Sequence, residues 1–346
     1  MKKCVLILGL YSFVMNSYAQ IGGNGVYQFL NINTSARVAA LGGNQIAVKD
    51  NDPFLALANP ALLNHEMDNK LAMTYTGYLA DVGMGFASYT KDYDSLGTFS
   101  AGLQFVDYGQ FDETDNAGND LGNYSAGEYA LIIGYARPLD TNFSIGLNLK
   151  AIHSSFYDYT SNGVAADVAL NYFSQKRQID LALVVRNIGT QISTYAEEGE
   201  REKLPFEIQL GFSKRLKNVP IRFGIIAQQL QKWDLTFNDL TPNNTGLIDN
   251  VDVTGTNERS FPNQVARHMI FNAEFLVTRN FNLRLGYNLM RRAELKIDEK
   301  LGTVGLSWGL GFRINKFHFS YGRSAYHQAG ATNTLSVSTR LIDFIQ

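Results

Sequence analysis

The segment NFSIGLNLKA, Asn142–Ala151, alternates between apolar and polar residues over most of its length. Its apolar members include Phe143, Ile145, Leu147 and Leu149, and the residues between these four are small or polar. Because successive side chains of a β-strand point to opposite faces, this spacing puts the four apolar side chains on one face. The segment is therefore predicted to be a strand with one apolar face and one face that can meet water.

The same alternation recurs in about fourteen runs along the chain. Most runs are close to the roughly 9–11 residues that a tilted strand needs to cross a bilayer. The runs lie near residues 69–77, 82–90, 98–107, 127–137, 143–153, 163–172, 178–187, 205–214, 220–230, 267–277, 281–290, 303–313, 316–323 and 333–341.

The connections between these runs differ in length in a regular way. Those after the fourth, sixth, eighth, tenth and twelfth runs are tight, as in PLDTN and TRN, whereas those after the third, fifth, seventh, ninth, eleventh and thirteenth are long. Short turns at one end and long loops at the other are typical of outer-membrane barrels. In hydrocarbon, moreover, only a closed sheet pairs the backbone amides of every strand. We therefore predict an all-β fold, a transmembrane antiparallel β-barrel of about 14 strands.

A water-soluble propeller or long sandwich is the alternative all-β fold. It gives no reason for strand lengths to match a membrane, or for long and short connections to alternate. The barrel is therefore favoured. Since an even number of strands leaves both termini on one side, we expect the termini in the periplasm and the long loops outside the cell.

The N-terminus predicts export. Residues 1–19 contain two lysines, an apolar run and small residues at Ser17 and Ala19, which together are typical of a cleaved signal peptide. The only cysteine, Cys4, lies within it, so the mature chain has neither disulfides nor cysteine ligands. We predict three parts: the signal peptide 1–19, an N-terminal plug segment with short helices at 20–68, and the outer-membrane barrel at 69–346.

The composition excludes several function classes. Charged residues make up 18% of the chain and aromatic residues 12%. Removing Lys2 and Lys3 from the 30 basic residues leaves 28 against 32 acidic ones, without a basic run that would indicate a nucleic-acid partner. No phosphate loop or dinucleotide fingerprint occurs. We therefore predict no catalytic residues, no cofactor and no nucleic-acid binding.

Metal ligation is also not indicated. The five histidines are scattered without ligand spacing, although strand parity turns His268 and His318 towards the lumen. The acidic segments at Asp112–Asp120 and Asp249–Glu258 lack the glycine and terminal glutamate of an EF-hand loop. We interpret both as solvated loop charge and predict no metal site.

Strand parity gives the interior a mixed charge, which suits a hydrated channel or a barrel filled by a hydrogen-bonded plug. An apolar ligand tunnel fits such an interior less well. The residues predicted to face the lumen include Lys150, Arg186, Glu207, Arg222, Arg284 and Arg313.

The segment DNDPFLALANPALLN, Asp50–Asn64, could be a small site or a structural piece. Asp52 can cap a turn that begins at Pro53, and Asn59 a turn that begins at Pro60, because each side-chain oxygen can accept free backbone amides. The apolar runs that follow supply a face for packing. We interpret the segment as part of a compact plug at the periplasmic end of the barrel.

The N-terminal region contains, in order, Ser35-Ala36-Arg37, Ala40-Leu41-Gly42-Gly43, Asp50, Asp52 and Asn59-Pro60-Ala61. In this pattern it resembles the N-terminal region of FadL-like outer-membrane proteins and of the PorV and PorQ proteins of the type IX secretion system. Further segments that resemble the PorQ family are VYQFLN from Val26, YLADVGMG from Tyr78, LPFEIQLG from Leu204 and WDLTFND from Trp233. The matching plug residues are Ser35, Arg37, Leu41, Gly42, Gly43, Asp50, Asp52, Asn59 and Pro60.

This resemblance implies a non-catalytic integral component of the type IX attachment complex. Its expected partners are a peripheral surface protein similar to PorZ, together with PorV, the sortase PorU, the lipid bilayer and lipopolysaccharide. Since loops reach out of the membrane, they are the expected docking surface. The candidate residues there are Asp112, Asp115, Trp233, Asp234 and Asp239.

Transport of hydrophobic or small solutes, by analogy with FadL, is the alternative function, and it rests on the fold alone. A fatty-acid route should be lined by apolar side chains, whereas the predicted interior is charged and rich in glycine. The sequence therefore favours the anchoring role.

Overall fold

The computed structural model describes residues 25–33, 35–78, 82–196, 199–235, 260–295, 302–327 and 330–344. The predicted signal peptide lies outside these residues. The strands are β1 Lys70–Gly77, β2 Gly83–Asp92, β3 Thr98–Thr114, β4 Asp120–Pro138, β5 Phe143–Phe156, β6 Tyr159–Ser174, β7 Ile179–Ser193, β8 Glu207–Arg215, β9 Ile221–Ala227, β10 Met269–Phe275, β11 Phe281–Asn288, β12 Leu306–Ile314, β13 Phe317–His327 and β14 Gly330–Arg340.

Four short α-helices accompany the strands in the described part of the chain. They are α1 Ala36–Ala40, α2 Leu55–Ala58, α3 Phe261–His268 and α4 Leu289–Leu295. Single 3-10 turns occupy Gln28–Asn31, Pro60–Leu62, His65–Met67, Asp94–Leu96 and Leu341–Phe344. Within the described residues, helices of the length and apolarity needed to cross a membrane do not occur.

The fourteen strands form one closed antiparallel barrel, in which each strand pairs with the next and β1 pairs with β14. At the closure Lys70 lies opposite Arg340 and Gly77 opposite Asn333. We call the end of the barrel where β1 begins and β14 finishes the termini end, and the opposite end the loop end. The predicted fold class is confirmed, including the number of strands.

The outer face of the barrel is apolar and the inner face largely polar. Along β5, Phe143, Ile145, Leu147 and Leu149 are exposed, while Lys150 is 3% exposed. A water-soluble barrel would have the reverse arrangement, with polar side chains outside. Exposing so many large apolar side chains to water would be unfavourable. The outer belt therefore fits a barrel whose surrounding solvent is lipid.

Three of the connections predicted to be long are short, because the strands beside them are longer than predicted. β3 and β4 have 17 and 19 residues and meet in a turn at 115–119, and β5 and β6 meet at 157–158. Likewise β13 continues to His327. Backbone pairing does not need an apolar face, so these polar segments continue the ladder past the length that crosses a bilayer.

The lumen is filled by the residues that precede β1, which we call the plug (25–33 and 35–68). Helix α1 packs against β11 to β14, and the turn at Pro60–Leu62 packs against β4, β5 and β6. The Tyr27 hydroxyl lies 2.5 Å from the Ser161 hydroxyl near the loop end. The plug therefore extends through the lumen from the loop end towards the termini end. The prediction had placed Asp50–Asn64 at the termini end and did not indicate that the plug also reaches the loop end.

Candidate functional site in the plugged lumen

The motif from Ser35 to Gly43 builds a capped helix. The Ser35 hydroxyl accepts a hydrogen bond from the Val38 amide at 3.1 Å, which satisfies a free amide at the start of α1. After Leu41, which is fully buried, Gly42 and Gly43 have φ angles of 96° and 92°. Because residues with a side chain rarely adopt such angles, the two glycines suit the end of the helix.

Polar contacts hold α1 against the barrel wall. The Ser336 hydroxyl accepts from the Ala36 amide at 2.8 Å, and the Ser324 hydroxyl donates to the Ala39 carbonyl at 2.8 Å. The Asn288 amide group donates to the Gly42 carbonyl at 3.1 Å. Wall side chains therefore satisfy backbone groups of the plug that would otherwise be buried without a partner.

Arg37 lies at the centre of a buried group of charges. Its guanidinium group contacts Asp50 at 2.8 Å, Asp52 at 3.1 Å and Glu274 of β10 at 2.8 Å. Glu274 also pairs with Arg222 of β9 at 2.8 Å. These pairs join the plug to the barrel wall by several charge-assisted hydrogen bonds.

Arg284 of β11 completes the group, because its Nε lies 3.3 Å from a Glu274 oxygen. We call Arg37, Asp50, Asp52, Arg222, Glu274 and Arg284 the plug network. Burial by itself would raise the pKa of Asp50, but Arg37 and Arg222 outweigh this effect and hold the pKa below its usual range. Asp50 is therefore charged at neutral pH, as the pairing requires.

The two predicted caps in Asp50–Asn64 are confirmed. Asp52 Oδ1 accepts from the Phe54 amide at 3.1 Å, and Asn59 Oδ1 accepts from the Ala61 amide at 2.9 Å, beside Pro60 in the first turn. Asn59 also donates to the Ile46 carbonyl at 2.7 Å. Every named residue of the motif thus has a contact that helps to fold or seat the plug.

Replacing Asn59 with alanine tests the cap. The variant loses both hydrogen bonds and leaves the buried Ile46 carbonyl without its partner, so we expect a loss of about 1–3 kcal/mol in unfolding free energy. Urea unfolding of the detergent-folded barrel measures it. Asn116→Ala, at an exposed asparagine in the turn after β3, is the comparison; an equal loss in both variants would contradict the assignment.

A second buried network joins the barrel to the plug nearer the loop end. Lys150 Nζ lies 2.8 Å from Asp167 and donates to Asn187 Oδ1 at 2.8 Å. Asn187 in turn donates to Asn31 of the plug at 2.9 Å. Arg186 donates to the plug carbonyl of Leu30 at 2.9 Å.

Five of the six residues predicted to face the lumen have largely buried side chains. Lys150, Arg186, Glu207 and Arg284 are 2–7% exposed, and the Arg222 side chain is 14% exposed. Arg313 differs, because it lies near the end of β12 and is exposed at the mouth of a cavity. Arg186 and Arg222 contact the plug directly, so the interior is that of a barrel filled by a plug, one of the two arrangements that its mixed charge suits.

The cavity at the termini end has a volume of about 600 Å³. It lies beneath the plug network and is bordered by Lys70, Arg279, Arg313 and Lys316. We call this cavity the vestibule. A cavity of this size can hold a small molecule, and its lining is strongly polar.

The projecting hairpins at the loop end carry aromatic side chains. Phe111 stacks on Tyr124 with ring centroids 5.4 Å apart, and Tyr124 meets Tyr157 of the neighbouring hairpin at 5.1 Å. Phe111 and Tyr157 are 42% and 44% exposed. We call Phe111, Tyr124 and Tyr157 the hairpin cluster.

The predicted partner-binding residues fall in two places. Asp112 belongs to β3 and Asp115 begins the turn after it, so their predicted placement in a long loop is corrected to the tip of an extended hairpin. The physical reason is the continued pairing of β3 with β4, where Asp112 lies opposite Asn123.

The other predicted partner-binding residues belong to the connection between β9 and β10. Trp233 is 55% exposed and packs against Phe261 at 5.4 Å, and Asp234 accepts from Gln264 at 2.9 Å. Asp239 lies outside the described residues.

Groups of three or more potential metal ligands do not occur in the described part of the chain. His268 is buried and its ring nitrogens lie 2.7 Å from the Gln228 carbonyl and 3.2 Å from the Trp233 carbonyl. His318 borders the vestibule. His268 is the last residue of α3 and not part of the strand on which its predicted orientation depended, whereas His318 lies in β13.

Sequence reasoning did not identify the pairing within the plug network or the vestibule. The signal for the first is an arginine followed at short range by two aspartates, in a segment that also carries helix caps. The signal for the second is the repeated occurrence of cations at the short turns, as at Arg215, Arg279 and Lys316. Neither signal specifies which strands meet.

No family model and no curated protein matches the chain significantly. Solved structures match it in fold. The toluene transporter TbuX of Ralstonia pickettii has a TM-score of 0.51 at 11% identity, covering 90% of this chain and 99% of that one.

Two further matches are comparable. The P. putida toluene transporter TodX has a TM-score of 0.52 at 12% identity and covers 90% and 99% of the two chains. A Pseudomonas aeruginosa FadL homologue has a TM-score of 0.50 at 11% identity and covers 89% and 98%. At these identities the likeness shows the fold alone, that of a FadL-like outer-membrane barrel.

Proposed function

We propose that this chain is a non-catalytic integral outer-membrane component of the type IX secretion system that anchors a peripheral surface protein similar to PorZ. In this role it supports attachment of secreted cargo to lipopolysaccharide, alongside PorV and the sortase PorU. The hairpin cluster is the observation that carries the proposal. Exposed aromatic residues on a projecting, regular hairpin are the side chains that most often anchor protein interfaces.

The filled lumen also supports an anchoring role. Charged and amide side chains of the wall contact the plug in the plug network and at Asn31 and Leu30. A solute would have to displace these contacts before passing. A fixed plug is compatible with anchoring, because an anchoring protein needs a rigid platform and not a passage through the lumen.

Transport of a hydrophobic or small solute is the second candidate. One finding favours it over anchoring: the matching solved structures named above include two toluene transporters, and none of those three is described as part of a secretion system. Proteins with the same fold can have different functions, however, so the two candidate functions must be distinguished by their functional sites and not by the fold.

Capture from solubilised membranes separates them. The affinity-tagged full chain should co-purify a PorZ-like protein identified by mass spectrometry, and loss of the gene should leave cargo unattached. The opposite result is that no partner is captured, and that loss of the gene lowers toluene or fatty-acid uptake while cargo attachment stays normal. That result would favour transport over anchoring as the function.

The double variant Phe111→Ser/Tyr157→Ser tests the docking surface. We expect recovery of the PorZ-like protein to fall at least about tenfold, because buried aromatic anchors dominate interface energy. Ile192→Ser/Leu230→Ser, at two exposed apolar residues near the loop end outside the hairpin cluster, is the matched control and should retain the partner. Equal recovery of the partner with both double variants would mean that the docking surface lies outside the hairpin cluster.

A further inference from the structure

The described lining of the vestibule carries more positive than negative charge. Nine of its side chains are arginine or lysine and five are carboxylates. The three carboxylates of the plug network are already paired with the three arginines of that network. The remaining six cations therefore face only two further carboxylates of the lining.

Arg340 pairs with Asp68 at 3.9 Å, but three of the other surplus cations lack an anionic partner in the part of the chain that the structure describes. Arg215, Arg279 and Arg313 have no carboxylate within 4.0 Å among the described residues. Arg313 donates through Nε to the Asn315 carbonyl at 3.2 Å, and Lys316 lies 4.7 Å from the centre of the Phe344 ring. These contacts orient the side chains but do not neutralise their charge.

Several like charges around one enclosed space repel one another, and a bound anion would relieve that repulsion. The guanidinium group presents a planar fork of donors that matches the geometry of phosphate, and lysine adds a point charge. The vestibule, at about 600 Å³, has room for a phosphate-bearing group.

We propose that the vestibule binds a phosphate-bearing anion, held by Arg279 and Arg313 with Arg215 and Lys316 at the rim. The group could belong to a soluble phosphate compound or to a lipid headgroup, which share this chemistry. The plug network forms the inner wall of the site, so an anion would lie beside the charges that hold the plug. The site is independent of whether the chain anchors a partner or transports a solute.

Titration of the full-length barrel, folded in detergent, tests the proposal in two arms. One arm adds inorganic pyrophosphate at low salt and follows binding by calorimetry. The other adds phosphatidic acid in mixed micelles, with phosphatidylcholine as the neutral lipid. We expect saturable binding in at least one arm, weakened by added salt because the surplus cations lie near the mouth of the vestibule. The arm that binds identifies the source of the phosphate.

The double variant Arg279→Gln/Arg313→Gln should weaken that binding at least about tenfold, since hydrogen bonds to charged groups are among the stronger ones. The matched control is Arg137→Gln/Arg177→Gln, which removes two exposed arginines at the same end of the barrel outside the vestibule lining. It should keep affinity within about twofold of the original chain, since its arginines touch no part of the site. Absence of saturable binding in both arms, or an equal loss in both double variants, would overturn the proposal. Circular dichroism and gel migration of the folded form confirm that each variant has folded.

Discussion

Replacing Arg37 with leucine is expected to lower the unfolding free energy of the barrel by about 3–5 kcal/mol, the usual effect of removing one partner from a buried ion pair. The variant leaves Asp50, Asp52 and Glu274 with only Arg222 and Arg284 to neutralise them. Arg37→Lys should lose less, because the charge remains while the forked donor geometry is lost. Urea unfolding in detergent measures the loss, and conductance in planar bilayers reports whether the plug has moved.

Lys91→Met is the matched control for this prediction. Lys91 forms an ion pair with Asp68 at 3.0 Å, but their side chains are 35% and 22% exposed. Exposed pairs contribute little, so stability and conductance should stay unchanged. If Arg37→Leu unfolds at the same urea concentration as Lys91→Met, the plug network does not stabilise the folded state.

A double-variant cycle shows whether the Arg37 effect acts through Glu274. Glu274→Gln alone removes a carboxylate that three arginines contact. In the Arg37→Leu background the same change should cost less, because fewer cations then depend on that carboxylate. Additive losses would mean that the two residues act independently, despite the 2.8 Å contact between them.

Much of the barrel could be predicted because the chemistry of each strand is local. Alternation in a strand such as β5 states which side chains face lipid and which face the lumen, without knowledge of the neighbouring strands. The caps at Asp52 and Asn59 were predictable for the same reason, since each hydrogen bond spans two residues.

The contacts that give the lumen its character could not be predicted in this way. Arg37 and Glu274 are separated by 237 positions, and only closure of the barrel brings them together. The hairpin of β3 and β4 was underestimated because regular apolar alternation ends before its outer part, although its backbone continues to pair as far as Thr114 and Asp120. Alternation reports burial, whereas backbone pairing depends on the neighbouring strand.

Gly286 is a position where a single added side chain should displace the plug directly. A Cβ atom there would lie 2.2 Å from the Gly42 amide nitrogen and 2.2 Å from the Leu41 carbonyl carbon. Both atoms belong to the backbone at the end of α1, so neither can turn away as a flexible side chain could. Gly286→Val must therefore push α1 off the wall.

The expected result is a cost on the order of 1–3 kcal/mol, as for other overpacked interiors, and a rise of about tenfold or more in plug opening. The rate of cleavage by trypsin measures plug opening, because Arg37 and Lys49 lie within the plug and are protected only while the plug is seated. Gly77→Val is the matched control: nothing lies within 4 Å of its added Cβ, and valine suits a strand. If trypsin cuts the plug of Gly286→Val no faster than that of Gly77→Val, close packing of α1 does not seat the plug, and the plug network must hold it without that contact.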